Sequence, residues 1–176
     1  MKIDIITKDN IHLVAQLMSS IKPEWWDMDG ALMQLEDPRN NIGWVINDNQ
    51  AHPTGWLLCS EDFYALFLNL ECMGYDDQGN FVTDERLLPL LEKAEEYAKD
   101  KGYPVLRYMI GTSELSPFVG VNLTEYWQEG LKEITSVNLE KSKDHGFLYQ
   151  FGFRPTGFIP HCYGEGAHAL MLIKTI

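Results

Sequence analysis

The 176-residue sequence has few cysteines and no long apolar run. Its three cysteines, Cys59, Cys72 and Cys162, are odd in number, and their spacings match no zinc or redox motif. The opening MKIDIITKDN contains no apolar export segment, and no apolar run approaches the roughly 18 residues of a membrane span. These absences predict a protein of the reducing cytoplasm that does not cross a membrane.

Basic residues are also scarce, because 14 Lys and Arg stand against 26 Asp and Glu and give a formal net charge of -12. No basic cluster interrupts this excess, so a phosphate backbone would be repelled and no nucleic-acid partner is expected. A negative surface favours cationic small molecules such as amines, but it also serves solubility alone. Charge by itself therefore selects no substrate.

The motifs of several enzyme classes are missing as well. The sequence contains no P-loop, no dinucleotide-binding fingerprint, no G-x-S-x-G elbow and no H-E-x-x-H helix. An EF-hand alignment that puts Gly79 at the sixth position puts Gly74, which has no ligand oxygen, at the first. We therefore expect no metal site.

The residues that are present fit one domain over residues 1–176, without repeats or linkers. A strand-like KIDIIT precedes a helix over IHLVAQLMSSI, which Asp9 or Asn10 can cap, and a shorter helix follows in WWDMDGALMQLEDP. The tandem tryptophans Trp25 and Trp26 stand between these helices. They could cover the core or face a ligand.

The middle of the chain indicates a three-strand meander followed by a helix. The strand-like runs are NIGWVIND, TGWLLCSED and the long apolar FYALFLNLECM, which we expect to be buried on both faces. The polar segment GYDDQGNFVTDE is typical of a loop. In LLPLLEKAEEYAKDKG an apolar stripe predicts a helix that starts no earlier than about residue 86, because of Pro89, and stops at Gly102.

The remaining segments alternate again between strand and helix patterns. YPVLRYMIG is strand-like, TEYWQEGLKEITSVNLEKSKD is mostly helical, and AHALMLIKTI ends the chain as a strand. The aromatic residues of FLYQFGFRPTGF are predicted to be mostly core, with glycines that permit the turns between them. The whole order predicts a mixed α/β fold around a single sheet.

That order, closed by YQFGFRPTGF and ALMLIK, resembles the GNAT superfamily of acetyl-CoA-dependent N-acetyltransferases over nearly the whole chain. Gly152-Phe153 and Gly157-Phe158 match the rhythm of the family's last helix and strand. The resemblance implies a single GNAT-like domain with acetyl-CoA as co-substrate. It also implies transfer of an acetyl group to a primary amine of a small molecule or peptide.

The resemblance also implies where the coenzyme binds. GNAT proteins seat its pyrophosphate on backbone N–H groups at a helix start with the pattern Q/R-x-x-G-x-G/A, whereas residues 82–87 of this chain contain no glycine. Asp84 and Glu85 would compete with a pyrophosphate for those N–H groups. Either Gly74 and Gly79 build a different anion cradle, or the coenzyme no longer binds.

The family pattern assigns candidate residues to both substrates. The coenzyme would contact the end of the fourth strand and the start of the following helix, namely Leu70, Cys72, Met73, Thr83, Arg86 and Leu87. Glu71 could take a proton from an ammonium acceptor, or it could simply be a strand-end residue in solvent. Leu148 stands at the position where many family members have the tyrosine that protonates the departing thiolate. The adjacent Tyr149 is therefore the candidate general acid, with His161 and Tyr163 as alternatives.

Two functional classes remain open from the sequence. In the first, the chain is an N-acetyltransferase, and the segment between Gly111 and Asp144, with Tyr126 and Trp127, shapes an acceptor pocket or a homodimer contact. In the second, the chain is a catalytically inactive GNAT-fold module that binds or regulates without acetyl-CoA. The missing glycines favour the second class, whereas the apolar fourth strand serves the fold in either.

Overall fold

The computed structural model describes residues 2–39, 42–62, 64, 66–111, 139–142, 145–163, 165 and 168–176. These residues form one eight-stranded mixed sheet with helices on its faces, as predicted. No helix among them is both long and apolar enough to cross a membrane. The predicted helix within residues 124–144, including Tyr126 and Trp127, lies almost entirely outside the described ranges, so the proposed acceptor or dimer role of that segment is untested.

The N-terminal part has the predicted order of one strand and two helices. Strand β1 spans Lys2–Ile5, and helices α1 and α2 span Ile11–Ile21 and Met28–Glu36. Asn10 is the N-cap residue of α1, but its side chain makes no capping bond there. Instead its Oδ1 accepts from the Thr7 amide at 2.7 Å, so the predicted side-chain cap is replaced by a turn that joins β1 to α1.

Seven further strands complete the sheet. They are β2 (Ile42–Asn47), β3 (Pro53–Asp62), β4 (Phe67–Asp77), β5 (Asn80–Val82), β6 (Val105–Gly111), β7 (Arg154–Ile159) and β8 (Ala169–Thr175). The strand order is β1-β2-β3-β4-β6-β8-β7, with β5 paired to β4. All neighbours are antiparallel except β4 and β6, which run parallel because a helix connects them.

The segment predicted as a loop after the fourth strand is a β-hairpin. β4 continues to Asp77, and β5 returns beside it with Asp77 opposite Asn80. Gln78 and Gly79 form a two-residue turn with φ of 54° and 88°. Two positive φ angles match the twist of an antiparallel pair, so a polar residue followed by glycine at the tip was the signal that the loop prediction overlooked.

Helix α3 spans Leu88–Lys101 and agrees with the prediction at both ends. A short 3-10 turn over Glu85–Leu87 precedes it. At the other end Gly102 has φ of 77°, and its N–H reaches the carbonyls of Ala98 and Lys99. The predicted stripe of Leu87, Leu91, Ala94 and Ala98 is fully buried.

The sheet separates two hydrophobic cores. One core lies under α3 and includes Leu57, Leu68 and Leu70 of the central strands, and the other lies under α1 and α2 and includes Trp56 and Leu58. β4 is therefore not buried on both faces throughout, because the polar residues Asn69 and Glu71 alternate with its buried leucines.

The aromatic C-terminal segment belongs mostly to the core, as predicted. Helix α4 spans Gly146–Phe151 and ends at Gly152, whose φ is 108°. Phe147 and Phe153 are buried under α3, and Tyr149, Phe151 and Phe158 pack against the same core. The aromatic side chains of this segment therefore anchor α4 and the strand that follows it to this core.

Candidate active site

β4 and β6 diverge part-way along the sheet. Phe67–Leu70 pair in parallel with Val105–Tyr108, and β6 then stays with β8 through Gly111. β4 continues along β3, and β5 joins its other edge from Tyr75 onward. The main-chain edges of residues 71–74 in β4 and 109–111 in β6 therefore separate, and the gap between them is called the wedge below.

A β-bulge lies at the apex of the wedge. Opposite β3, Leu70 pairs with Cys59 and Cys72 pairs with Leu58, so Glu71 is an extra residue between two consecutive partners. The bulge shifts the alternation of β4, because Leu70 and Met73 both join the core under α3 whereas Cys72 packs on the opposite side. Glu71 itself is exposed at this point.

A row of hydrogen-bond donors leads to the Glu71 carboxylate. The Ser60 hydroxyl donates to Glu71 Oε1, and Asn69 Nδ2 donates to Ser60 Oγ at 3.2 Å. Behind them, Arg107 Nε donates to Asn69 Oδ1 at 2.6 Å. Ser60 is only 7% exposed, so it holds the carboxylate from within the sheet. All three donors point the same way, which strengthens each bond in the row.

A cleft of about 310 Å³ lies over the wedge. Its lining comes from the α1–α2 connection, α2, the β4–β5 hairpin, β6 and the turn after β7. The lining residues are Trp25, Trp26, Gln34, Glu71, Cys72, Met73, Phe81, Thr83, Tyr108, Met109, Gly111 and Tyr163. The exposed carboxylate of Glu71 thus shares one cavity with a largely apolar wall, in a size range typical of small-molecule sites.

Three aromatic residues form one wall of the cleft. The ring centroids of Trp25 and Trp26 lie 5.5 Å apart, and those of Trp25 and Phe81 lie 5.4 Å apart. Trp26 rests edge-on against the buried Trp56, so the wall is anchored in the core under α1. Trp25 remains 46% exposed and presents ring surface to the cleft.

The start of α3 is closed by its own side chains. Asp84 Oδ1 accepts from the Arg86 amide at 3.0 Å, and the same carboxylate holds the Arg86 guanidinium, with Nη2 to Oδ2 at 2.6 Å. Arg86 Nη1 also pairs with Asp77 of the hairpin at 3.0 Å. The hydrogen bonds from Arg86 outweigh partial burial and hold the pKa of Asp84 below its usual range. An internal carboxylate therefore occupies an N–H group that an anion could use.

Solved structures share this architecture, although no protein-family model and no curated protein matches the sequence. An aminoglycoside 6'-N-acetyltransferase complexed with coenzyme A is 14% identical, with TM-score 0.76 over 99% of this chain and 97% of the other. The ribosomal-protein-S18-alanine N-acetyltransferase of Escherichia coli is 10% identical, with TM-score 0.63 over 99% and 93%. A putative GNAT-family acetyltransferase of Desulfovibrio desulfuricans is 10% identical, with TM-score 0.62 over 99% of both chains. This chain has the GNAT fold.

The residues predicted for the coenzyme fall into two groups on this GNAT fold. Cys72, Met73 and Thr83 line the cleft together with Glu71. Leu70 and Leu87 are buried in the core under α3, where they can offer only main-chain groups, and the side chain of Arg86 is engaged by Asp84 and Asp77.

The alternative anion cradle of Gly74 and Gly79 is not formed. Gly74 lies in β4, where an added Cβ would come within 2.4 Å of Phe81 Cε2 and 2.6 Å of Trp56 Cη2. The glycine is therefore needed for aromatic packing. Gly79 forms the tip of the hairpin, where its N–H donates to Asp76 Oδ1 at 2.6 Å.

The candidate acids lie in two different places. One packs against the core under α3, and the other two lie in the turn after β7. Tyr149 packs against the core under α3, with the Arg154 guanidinium 3.9 Å from its ring centroid, and it is not among the described residues that line the cleft. Tyr163 does line the cleft and is 55% exposed. His161 is in the same turn, and its amide donates to Nδ1 of the buried His168 at 3.0 Å.

The described residues of this site do not favour catalysis by the Cys72 thiol or by a bound metal ion. Burial raises the pKa of Cys72 to about 12, so its thiol is neutral at ordinary pH and a poor nucleophile. In the described ranges, no group of three or more His, Cys, Asp or Glu side chains could hold a metal ion. Among the described lining residues, the Glu71 carboxylate is thus the group best suited to accept a proton.

Several residues of the site were not identified from the sequence. Ser60 reaches Glu71, and Asn69 reaches Ser60, only because β3 and β4 pair with the bulge between them. Phe81 was assigned to a loop, and Tyr108 and Met109 to an ordinary strand. In contrast, the sequence did indicate that Trp25 and Trp26 could face a ligand. Two adjacent large aromatic residues in a short connection are difficult to bury fully at the same time.

Proposed function

We propose that the protein is an N-acetyltransferase that moves an acetyl group from acetyl-CoA to a primary amine. The observation that carries this proposal is the wedge, with Glu71 at its apex inside a small-molecule cleft. A wedge between two strands offers main-chain N–H and C=O groups to an extended chain, which suits a pantetheine arm. Among proteins of this fold, acceptors range from aminoglycosides to the alanine of a ribosomal protein, so the fold alone selects no amine.

The coenzyme's pyrophosphate is the part that fits least readily. We propose that it approaches the start of α3, where Arg86 exchanges the Asp84 carboxylate for a phosphate oxygen. A guanidinium donates two parallel hydrogen bonds to a carboxylate or to a phosphate in the same geometry, so the exchange breaks one ion pair and forms another. An aminoglycoside acetyltransferase that shares the fold was crystallised with coenzyme A, which supports acetyl-CoA as the co-substrate.

The proposed reaction is direct transfer between the two bound substrates. An ammonium acceptor first gives one proton to Glu71, and its nitrogen then attacks the thioester carbonyl carbon. A C–N bond forms, the C–S bond breaks, and the nitrogen loses its second proton. We propose that Tyr149, the predicted acid, or the cleft residue Tyr163 hands a proton to the departing thiolate and recovers one from the nitrogen.

A binding module that does not use acetyl-CoA is the second candidate. One observation favours it, namely the capping of the Arg86 amide by Asp84. If that cap cannot be displaced, the Arg86 N–H group is not available to a pyrophosphate. The wedge and cleft would then hold another ligand.

Titration with acetyl-CoA separates the two candidates. For the enzyme we expect thermal stabilisation that saturates, with about 2.7 kcal/mol at roughly 100 times the dissociation constant. Release of free thiol on addition of an amine then measures turnover. No stabilisation at millimolar acetyl-CoA would contradict the enzyme and leave the binding module.

A further inference from the structure

The cleft combines one charge with a broad aromatic wall. Among its described lining residues, Glu71 carries the only formal charge, and the wall of Trp25, Trp26 and Phe81 lies in the same cavity. A single carboxylate can neutralise a single ammonium. The aromatic wall can be covered favourably by an apolar ring, because aromatic faces gain from contact with another ring.

The ammonium of Lys22 already contacts two rings of the aromatic wall. Lys22 Nζ lies 4.7 Å from the Trp25 ring centroid and 5.6 Å from that of Phe81. The same ammonium pairs with Glu24 at 2.7 Å, which fixes it outside the lining of the cleft. A second ammonium placed on these rings would be repelled by Lys22, whereas a neutral ring would not.

We propose that the acceptor is a monoamine with an aromatic body, whose ammonium pairs with Glu71 and whose ring packs on Trp25 and Phe81. This inference rests on the proposed function, because it names the amine that the same site would acetylate. The wall is built before the ligand arrives, since Trp25, Trp26 and Trp56 contact one another in series. Little ordering is therefore required when the ring binds.

Equilibrium binding without acetyl-CoA tests the inference with four probes. Phenethylamine carries both groups, butylamine lacks the ring, phenethyl alcohol lacks the charge, and spermidine carries several charges and no ring. By calorimetry we expect phenethylamine to bind about tenfold more tightly than each of the others. Spermidine or butylamine binding as tightly as phenethylamine would overturn the proposal.

Three variants locate the two contacts. Trp25→Ala should weaken phenethylamine about tenfold and leave butylamine unchanged. Glu71→Gln should weaken phenethylamine and leave phenethyl alcohol unchanged. Tyr64→Ala is the matched control, because Tyr64 is an exposed aromatic residue in the β3–β4 connection outside the described cleft lining, and it should change nothing. Equal losses for Trp25→Ala and Tyr64→Ala would contradict the proposed contact.

The outcomes distinguish this inference from the proposed function. Selective binding of phenethylamine without thiol release from acetyl-CoA would support the ligand class and contradict acetyl transfer. Acetylation of spermidine and phenethylamine with equal kcat/KM, unaffected by Trp25→Ala, would support acetyl transfer and contradict the ligand class.

Discussion

The position of the Glu71 side chain is set by the β-bulge between Leu70 and Cys72 and by Ser60 on the neighbouring strand. The bulge turns it out of the regular alternation, and Ser60 then holds one carboxylate oxygen. A carboxylate placed in this way can accept a proton without first giving up a buried ion pair. The proposed chemistry is therefore tested most directly at this residue.

Glu71→Gln keeps the shape and the acceptor for Ser60 but cannot take a proton. We expect kcat to fall about 10²- to 10⁴-fold while the dissociation constant of acetyl-CoA is nearly unchanged. Glu61→Gln is the matched control, because Glu61 accepts from Tyr97 and Tyr103 on the α3 side of the sheet and should not affect turnover. Full activity of the Glu71 variant would remove this residue as the base.

Ser60→Ala removes the hydroxyl that holds the carboxylate. Because Ser60 acts through Glu71, we expect kcat to fall about fivefold while KM for acetyl-CoA stays constant. Ser60→Thr keeps a hydroxyl and should restore most of the rate. Steady-state kinetics of the two variants decide the matter, since equal losses would mean that packing and not the hydrogen bond was disturbed.

At the scale of elements, the start of α3 is where we propose that the pyrophosphate of the coenzyme binds. Its first N–H groups are the natural site for a pyrophosphate, yet Asp84 occupies one of them and pairs with Arg86. Competition between an internal carboxylate and a bound phosphate is therefore expected. Coenzyme affinity measures that competition.

Replacing Asp84 and Glu85 by glycine should tighten acetyl-CoA binding about threefold or more, because an anionic competitor leaves the helix start. Glycine is also a tolerated N-cap residue, so the helix should lose only a few tenths of a kcal/mol in capping. Calorimetry measures the affinity, and Asp76→Asn in the neighbouring hairpin controls for loss of charge alone. Unchanged or weaker binding in the double variant would mean that the pyrophosphate lies elsewhere.

A second element contact joins α3 to the last strand. Glu95 accepts from Lys174 of β8 at 2.5 Å and from Lys99 at 2.7 Å, and both ends of the Glu95–Lys174 pair are largely buried. Burial by itself would raise the pKa of Glu95, but these two bonds outweigh it and hold the pKa below 4.5. The pair therefore fixes the helix to β8, next to Phe151 of α4.

Glu95→Gln should lower the free energy of unfolding by about 1–2 kcal/mol at neutral pH. Because the folded pKa is depressed, this contribution is complete above the ordinary value of 4.5 and is lost as the pH falls through the folded pKa. Urea unfolding at pH 7 and pH 3 should thus show a smaller difference from the natural chain at pH 3 than at pH 7. Glu96→Gln, in an exposed pair with Lys93, should show almost none at either pH.

At the scale of the whole molecule, the charge of -12 acts on the two substrates in opposite directions. It attracts a cationic amine and repels anionic acetyl-CoA, and salt screens both effects. Raising the ionic strength from about 0.02 M to about 0.2 M should lower kcat/KM for the amine and raise it for acetyl-CoA. Changes of the same sign for both substrates would contradict this account.

Local patterns were enough to predict much of the fold. The helices over residues 11–21 and 88–101, the stop at Gly102 and the core position of the aromatic segment follow from spacings within a few residues. The prediction of a loop after residue 73 was wrong for residues 74–82, which form the end of β4, a turn and β5, because polar residues dominate this turn and the strand on one side of it is short. Its two-residue turn was recognisable in principle.

The sequence by itself determined the order of the described strands and helices apart from β5, and the absence of glycine at 82–87, since both depend only on which residues follow one another. Only the tertiary structure decided that Glu71 lies at a bulge beside an open wedge and that Trp25 meets Phe81. These features arise from the register of paired strands and from contacts between distant segments. A shift of one residue in that register would change which face each side chain occupies, and no local pattern specifies it.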